Sequence, residues 1–182
     1  MILVLALGVF VLTGTSQVQG QRDTRAYCQL YDPTNRNRVH GRLTLRQQYN
    51  TQLVEITGRI YGLRPGLHGF HVHERGTFGR DCTNAGPHFN PFNQNHAGPN
   101  DAPRRHVGDL GNIYANNWGV ANLAIYDNFI RMRERRELSI LGRGIVVHAD
   151  PDDLGRGGNG ESLETGNAGA RLACCQIIHT AF

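Results

Sequence analysis

The stretch Gln52-Leu53-Val54-Glu55-Ile56-Thr57-Gly58-Arg59-Ile60-Tyr61 sets Val54, Ile56 and Ile60 two residues or a multiple of two apart, with Glu55, Thr57 and Arg59 between them. That period of two predicts a strand with one buried face and one wet face. Working outward, the same pattern predicts strands near Ala26–Leu30, Arg38–Leu45, Gly69–His73, Gly119–Ile125, Gly144–His148 and Arg171–Ile178, with an eighth candidate over Asn128–Met132. The 182 residues include Gly 23 and Pro 7, a density that cuts a chain into short elements and excludes a helical bundle. Short strands punctuated by Gly, Pro, Asn and Asp, with no fixed repeat, read as one all-β domain, a sandwich or Greek-key barrel.

Two segments interrupt this rhythm, Glu74–Asn112 and Ala149–Gly169, and structureless connections of that length inside a compact domain are usually functional or disordered. Histidines decide for function. In Gly69-Phe70-His71-Val72-His73-Glu74 two histidines stand at i and i+2 of a strand, on one face, close enough to share a metal ion. His88, His96, His106 and Asp109 follow within the first long segment, a ligand set that suits tetrahedral zinc. Val146-Val147-His148-Ala149-Asp150 ends an apolar strand in a histidine at the mouth of the second. Six histidines and a carboxylate exceed the need of one zinc, so two metals are expected, and imidazole ligation without Met or thiolate suits a copper that cycles between Cu(II) and Cu(I).

All 19 cations are arginine, against 15 acidic residues, for a net charge of +4. The lack of lysine excludes a Schiff-base lysine and a phosphate-binding P-loop. Ile2–Leu12 is an uncharged apolar run, too short to span a bilayer and of the length of a signal-peptide core. Val18-Gln19-Gly20 offers a cleavage point, so residues 1–20 are expected to be a leader and 21–182 a single secreted, extracellular domain, with no membrane contact once the leader is removed. In an oxidising compartment Cys28, Cys82, Cys174 and Cys175 are candidates for two disulfides among three formal pairings. Cys174 and Cys175 sit side by side on an expected strand, point to opposite faces and should take different partners.

Gly66-Leu67-His68-Gly69-Phe70-His71-Val72-His73-Glu74, Ala85-Gly86-Pro87-His88-Phe89-Asn90-Pro91, His106-Val107-Gly108-Asp109-Leu110-Gly111-Asn112 and Gly166-Asn167-Ala168-Gly169-Ala170-Arg171-Leu172-Ala173-Cys174 together resemble, in order, the signatures of the copper/zinc superoxide dismutases, of the secreted kind. The resemblance covers Ala26 to the C-terminus. It implies an eight-stranded Greek-key β-barrel, sandwich-like, with a metal-binding loop and an electrostatic loop, and an antioxidant oxidoreductase that converts superoxide to dioxygen and hydrogen peroxide.

By that resemblance copper is held by His71, His73, His88 and His148, and zinc by His88, His96, His106 and Asp109, with His88 as a bridging imidazole and proton shuttle. Arg171 matches the arginine that guides the anion to copper, Thr165 the residue that narrows the channel, and Asp152 a carboxylate that orients ligand histidines of both sites. Asp153, beside it, is open to confusion with it. Cys82 and Cys174 match the family disulfide. The first and last strands are neighbours in the family fold, and on that ground a second bridge, Cys28 to Cys175, is expected. His68 is read as hydrogen-bonded at the barrel end, and His40 and His179 as surface residues.

This chain also departs from the family pattern. Asp150 and Glu164 stand in neighbourhoods where lysines commonly draw superoxide inward. Arg75 and His179 fall at the usual homodimer contact, where an uncompensated cation is costly, so that contact is in doubt. The arginine-rich segment 131–136 could meet acidic glycans, but mixed charge there reads as a solvated surface, and nothing points to nucleic acid. The competing function is an extracellular metal-carrying or storage protein with little turnover, which would have no need of Arg171, Thr165 or a bridging histidine.

Overall fold

A computed structural model describes residues 23–133 and 136–180, with the backbone alone at Arg136. The expected leader, residues 1–20, lies outside the described residues. Among the described residues no helix is long and apolar enough to cross a membrane.

Alternating strands do most of the folding. β1 (Thr24–Tyr31), β2 (His40–Gln47), β3 (Val54–Tyr61), β4 (Gly66–His73), β5 (Asp109–Ala115), β6 (Val120–Asp127), β7 (Gly144–His148) and β8 (Arg171–Gln176) pair antiparallel in the order β1-β2-β3-β6-β5-β4-β7-β8. β8 returns to β1 through Tyr31 and Cys174, and the two-residue β9 (Ile178–His179) extends that seam through Ala26 and Tyr27. The sheet therefore closes on itself, which removes its edges. Connections 62–65 and 128–143 cross the barrel ends, and this makes the path a Greek key.

The register follows from the pattern that predicted it. Val54, Ile56 and Ile60 of β3 are fully buried beside Leu43 and Leu45 of β2, and Phe70, Ile145 and Val147 complete the interior from β4 and β7. Each such side chain contributes about 1.5–3 kcal/mol by leaving water.

The eighth strand is not the one expected. Asn128–Met132 turns instead of extending, because Oδ1 of Asp127 accepts the backbone N–H groups of Phe129 and Ile130 at 2.7 and 2.8 Å and bends the chain there. Ile130 and Met132 are buried all the same, closing the barrel end. The missing strand is β5, which begins inside the expected loop 74–112 and runs on to Ala115. Its sequence Asp109-Leu110-Gly111-Asn112 carries turn-forming residues, yet Asp109 and Gly111 are buried with Leu110 and Ile113, so tertiary contacts override local preference.

Both expected disulfides are present. Cys28 on β1 joins Cys175 on β8 with Cα atoms 5.4 Å apart, and Cys82 in the first long loop joins Cys174 with Cα atoms 6.0 Å apart. The adjacent cysteines of β8 do point to opposite sides: Cys175 belongs to the main core, Cys174 to a small outer cluster with Val146 and Ala85.

Candidate metal centre

Phe70 and Val72 face the barrel core, so His71 and His73, offset by one, project from the other face of β4. His148 does the same from the end of β7, after the core residue Val147. The first long loop is laid along this face: Phe89 N–H donates to Val72 O at 2.9 Å and Glu74 N–H to Pro87 O at 3.0 Å, which carries His88 to His73. His71, His73, His88 and His148 thus meet, all buried, with ligand atoms within 4.8 Å of one another.

A second group of the same tightness is His88, His96, His106 and Asp109. Asp109 opens β5, and its Oδ2 accepts the backbone N–H groups of His106 and Ala97 at 2.9 and 3.2 Å. Its Oδ1 is left facing three imidazole nitrogens, Nδ1 of His88, His96 and His106, at 2.9, 2.9 and 3.1 Å. His88 belongs to both groups. Its Nδ1 faces Asp109, while its Nε2, like Nδ1 of His71, is buried with no hydrogen-bond partner among the described residues.

The opposite ring nitrogens are tied down. His71 and His96 donate through Nε2 to the two oxygens of Asp152 at 2.8 and 2.7 Å. His73 Nδ1 donates to Gly86 O at 2.8 Å and His148 Nδ1 to Gly169 O at 3.2 Å. Those bonds fix the tautomers, so the bare Nε2 lone pairs of His73 and His148 face each other at 3.3 Å. Two lone pairs at that distance repel unless a cation lies between them. A proton is a poor candidate, because burial and then the surrounding charges push His88 and His148 down to about 3, His71 down to about 4 and His73 well below its ordinary value. The residues therefore fit metal ions: an all-imidazole set suits copper, and three imidazoles with one carboxylate suit zinc.

The second group is electrostatically distinct. Burial works against a charged His96, but Asp109 and Asp152 on its two ring nitrogens outweigh it and raise it to about 9. Burial would likewise raise Asp109 and Asp152, yet the histidines that donate to them hold both well below the usual carboxylate range.

Arg171 begins β8 at the rim of a cleft of about 180 Å³ that it shares with His73, His88, His148, Thr165, Glu161 and Glu164. Its guanidinium is fixed by backbone carbonyls, NH1 donating to Cys82 O at 2.8 Å and NH2 to Gly86 O at 2.7 Å. Thr165 ends the four-residue helix α1 (Ser162–Thr165) and donates through Oγ1 to Glu161 O at 3.1 Å. Asp150 instead pairs with Arg64 at 3.2 Å. His68 is buried with its ring between His148 O and Arg64 O, each at 2.8 Å. His40 is exposed and stacks on Tyr61, and His179 is exposed.

Asp152 and Asp153 separate cleanly. Asp153 holds the loop, accepting from Gly155 N–H, Ser162 Oγ and Asn167 Nδ2 at 2.9, 2.7 and 2.6 Å, and touches no ligand histidine. Three supporting residues were beyond the sequence reading. Asn112 exchanges two 2.8 Å hydrogen bonds with the backbone of Asp152 and so aims its carboxylate. Gly166 has φ of 68° and lies so close to the Asp152–His96 bond that a Cβ there would stand 2.0 Å from Asp152 Oδ1. Arg105 is fully buried, donating to Pro99, His106 and Val107 carbonyls and to Asp127, and so fixes the backbone at His106. Gly166 and Asn112 left a sequence signal in their places in the Gly166–Cys174 and His106–Asn112 motifs, and Arg105 left none.

A family model described as copper/zinc superoxide dismutase (SODC) matches residues 39–177. Superoxide dismutase (Cu-Zn) 3 of Arabidopsis thaliana is 50% identical over 138 residues, 76% of this chain and 82% of the plant protein. Extracellular superoxide dismutase (Cu-Zn) of Onchocerca volvulus is 50% identical over 139 residues, 75% of this chain and 68% of the nematode protein. A superoxide dismutase (Cu-Zn) of Cryptococcus neoformans is 51% identical over 137 residues, 75% of this chain and 87% of the fungal one.

Proposed function

The chain belongs to the copper/zinc superoxide dismutase family, whose enzymes convert superoxide to dioxygen and hydrogen peroxide, and from that premise we propose how its own residues divide the work. Copper is taken by His71, His73, His88 and His148, and zinc by His88, His96, His106 and Asp109. The observation that carries this reading is His88, whose two ring nitrogens face the two groups at once. When bound, copper supplies the one-electron couple, and zinc a fixed positive charge.

Arg171 draws the superoxide anion into the cleft and holds it by charge-assisted hydrogen bonds, its backbone anchors keeping the guanidinium aimed inward. Thr165 narrows the entry and keeps larger anions out. His88 holds a proton at Nε2 after the first superoxide has left as dioxygen, and releases it to the second as that one gains an electron. A second proton from water completes hydrogen peroxide, so two superoxides and two protons give one dioxygen and one peroxide. Asp152 keeps His71 and His96 in the tautomers that leave their Nδ1 atoms bare.

The site of action is outside the cell, with residues 1–20 as a cleaved leader and 21–182 as the working domain. Support comes from the apolar run Ile2–Leu12, from two disulfides and no free cysteine among the described residues, and from similarity to relatives named as extracellular in Onchocerca volvulus and Brugia pahangi. The usual family dimer is weakened here, because Arg75 is exposed, its Nε donating to Asn84 O at 2.8 Å, and among the described residues the one carboxylate paired with it is Glu74, at 3.7 Å. Superoxide turnover of the copper- and zinc-loaded protein tests the whole: the rate should far exceed that of the same amount of free aqueous copper, and His148→Ala should abolish it. A loaded wild type no faster than free copper would refute the assignment.

A further inference from the structure

The chain contains one Asn-Gly pair, Asn159-Gly160, in the second long loop just before α1. Residues 156–161 are all exposed. The backbone nitrogen that follows an asparagine can attack the side-chain amide carbon, and it does so most readily when it belongs to glycine, which has no Cβ to obstruct the approach. The fold makes no demand for glycine at 160: its φ lies outside the left-handed region, and a Cβ added there would meet no atom within 4 Å. The N–H of Gly160 and Nδ2 of Asn159, the attacking and departing nitrogens, make no hydrogen bond among the described residues.

The reacting amide is polarised as well. Asn159 Oδ1 accepts the backbone N–H of Ser162 at 2.8 Å, so a donor already sits on the oxygen where negative charge develops as the carbon is attacked. No other asparagine combines such a donor with a following glycine. Asn116 Oδ1 accepts from the N–H groups of Trp118 and Val120 at 3.0 Å each, but Asn117 follows it. Asn112 precedes Ile113 and has both amide atoms engaged by the backbone of Asp152, and Asn167 precedes Ala168 and donates through Nδ2 to Asp153 at 2.6 Å.

We propose that Asn159 is a site of spontaneous deamidation, which adds negative charge beside the superoxide cleft as the protein ages. Gly160 N gives up its proton and bonds to Asn159 Cγ, the Cγ–Nδ2 bond breaks, and ammonia departs from a cyclic succinimide. Water then opens the ring at either carbonyl, to aspartate or to isoaspartate. The net change is one water consumed and one ammonia released, with no redox step. Either product carries a new carboxylate close in sequence to Glu161, which lines the cleft with Glu164 and Thr165. Isoaspartate also runs the chain through the side-chain carbon, which lengthens the backbone and withdraws the acceptor from Ser162 at the start of α1. Ser162 Oγ in turn accepts from Gly157 N–H and donates to Asp153, at 2.9 and 2.7 Å, so the disturbance reaches the loop behind Thr165. The modification itself does not depend on the metal chemistry; its effect on turnover rests on the proposed function.

The test is incubation of the metal-loaded mature protein at mildly alkaline pH, then digestion and mass spectrometry with the aspartate and isoaspartate peptides separated. A synthetic peptide of residues 154–164 serves as the reference. Wild type should convert Asn159 before any other asparagine, at a rate within about tenfold of the peptide's. Gly160→Ala, which the open space at 160 accommodates, should slow conversion about tenfold or more and match fresh wild type in turnover. Asn159→Asp, the mimic of one product, should lower turnover about 1.5–2-fold at low ionic strength, and the loss should vanish as salt is added. Asn159 left intact while the peptide converts, equal conversion in Gly160→Ala, or an earlier change at another asparagine would each overturn the site. Turnover of Asn159→Asp equal to that of wild type at low ionic strength would overturn its link to the cleft. Absent turnover in fresh wild type, with conversion intact, would count against the metal-site reading instead.

Discussion

His71 and His96 share one carboxylate, donating through Nε2 to Oδ2 and Oδ1 of Asp152 at 2.8 and 2.7 Å. One residue from each metal group is thereby oriented by the same side chain. Asp152→Asn keeps the shape but offers one acceptor oxygen and one NH2, so one of the two rings must lose its bond or change tautomer. The expected result is a loss of about 10–100-fold in affinity for at least one metal, read by competition with a chelator. Undiminished affinity for both metals would remove Asp152 from the account.

Arg171→Ala should lower turnover about tenfold or more while copper and zinc content stay at wild-type values, since the guanidinium bonds to carbonyls and to no ligand. Cys82→Ser with Cys174→Ser should lower turnover too, because Cys82 O is one of the anchors of that guanidinium. Turnover that survives both changes would make Arg171 a surface cation only.

Glu161 and Glu164 line the same cleft and oppose Arg171. A unit charge about 10 Å from the incoming anion in water costs about 0.4 kcal/mol, about a factor of two in rate. Glu164→Gln should therefore raise turnover about twofold at low ionic strength, and the gain should vanish as salt is added. A rate that falls instead would show that Glu164 shapes the cleft and does not repel the substrate.

The Cys28–Cys175 bridge lies across the β1–β8 seam, buried and apart from the metal groups. Denatured, non-reduced mature protein should show no free thiol. Cys28→Ser with Cys175→Ser should cost about 2–4 kcal/mol of stability and leave turnover alone. Two free thiols per chain in the wild type would contradict the pairing.

Metal-free protein should be most stable near pH 6.5. His71 at about 4 and His88 and His148 at about 3 stay neutral when folded, so between those values and 6.5 the unfolded chain binds more protons and stability falls as pH falls. His96 at about 9 works the other way, stabilising below 6.5 and losing that contribution as pH rises through 9. Urea unfolding after chelation, followed from pH 4 to 9, reads both limbs. A flat profile would mean that these rings are not buried as described.

Much of this was legible in the sequence because the chemistry left spacing behind. The alternation of Val54, Ile56 and Ile60 gave β3, and the i, i+2 pair His71 and His73 announced a shared ligand. β5 escaped because Asp109, Gly111 and Asn112 answer to demands other than strand propensity: a metal-group carboxylate, a positive φ of 76° and a clasp on Asp152. Asn128–Met132 misled for the reverse reason, since its apolar residues are buried by a turn whose cause, the cap from Asp127, lies one residue outside the pattern. Nothing local distinguishes Arg104, exposed, from Arg105, fully buried, because the difference is the distant partner Asp127.

The central claim is that one residue, His88, serves both metals, and metal content across three variants tests it most directly. Elemental analysis of wild type after loading and dialysis should give one copper and one zinc per chain. His148→Ala should lose copper and keep zinc, His106→Ala should lose zinc and keep copper, and His88→Ala should weaken the hold on both. A His88→Ala protein that retains either metal with wild-type affinity would contradict the shared ligand and the proton route built on it.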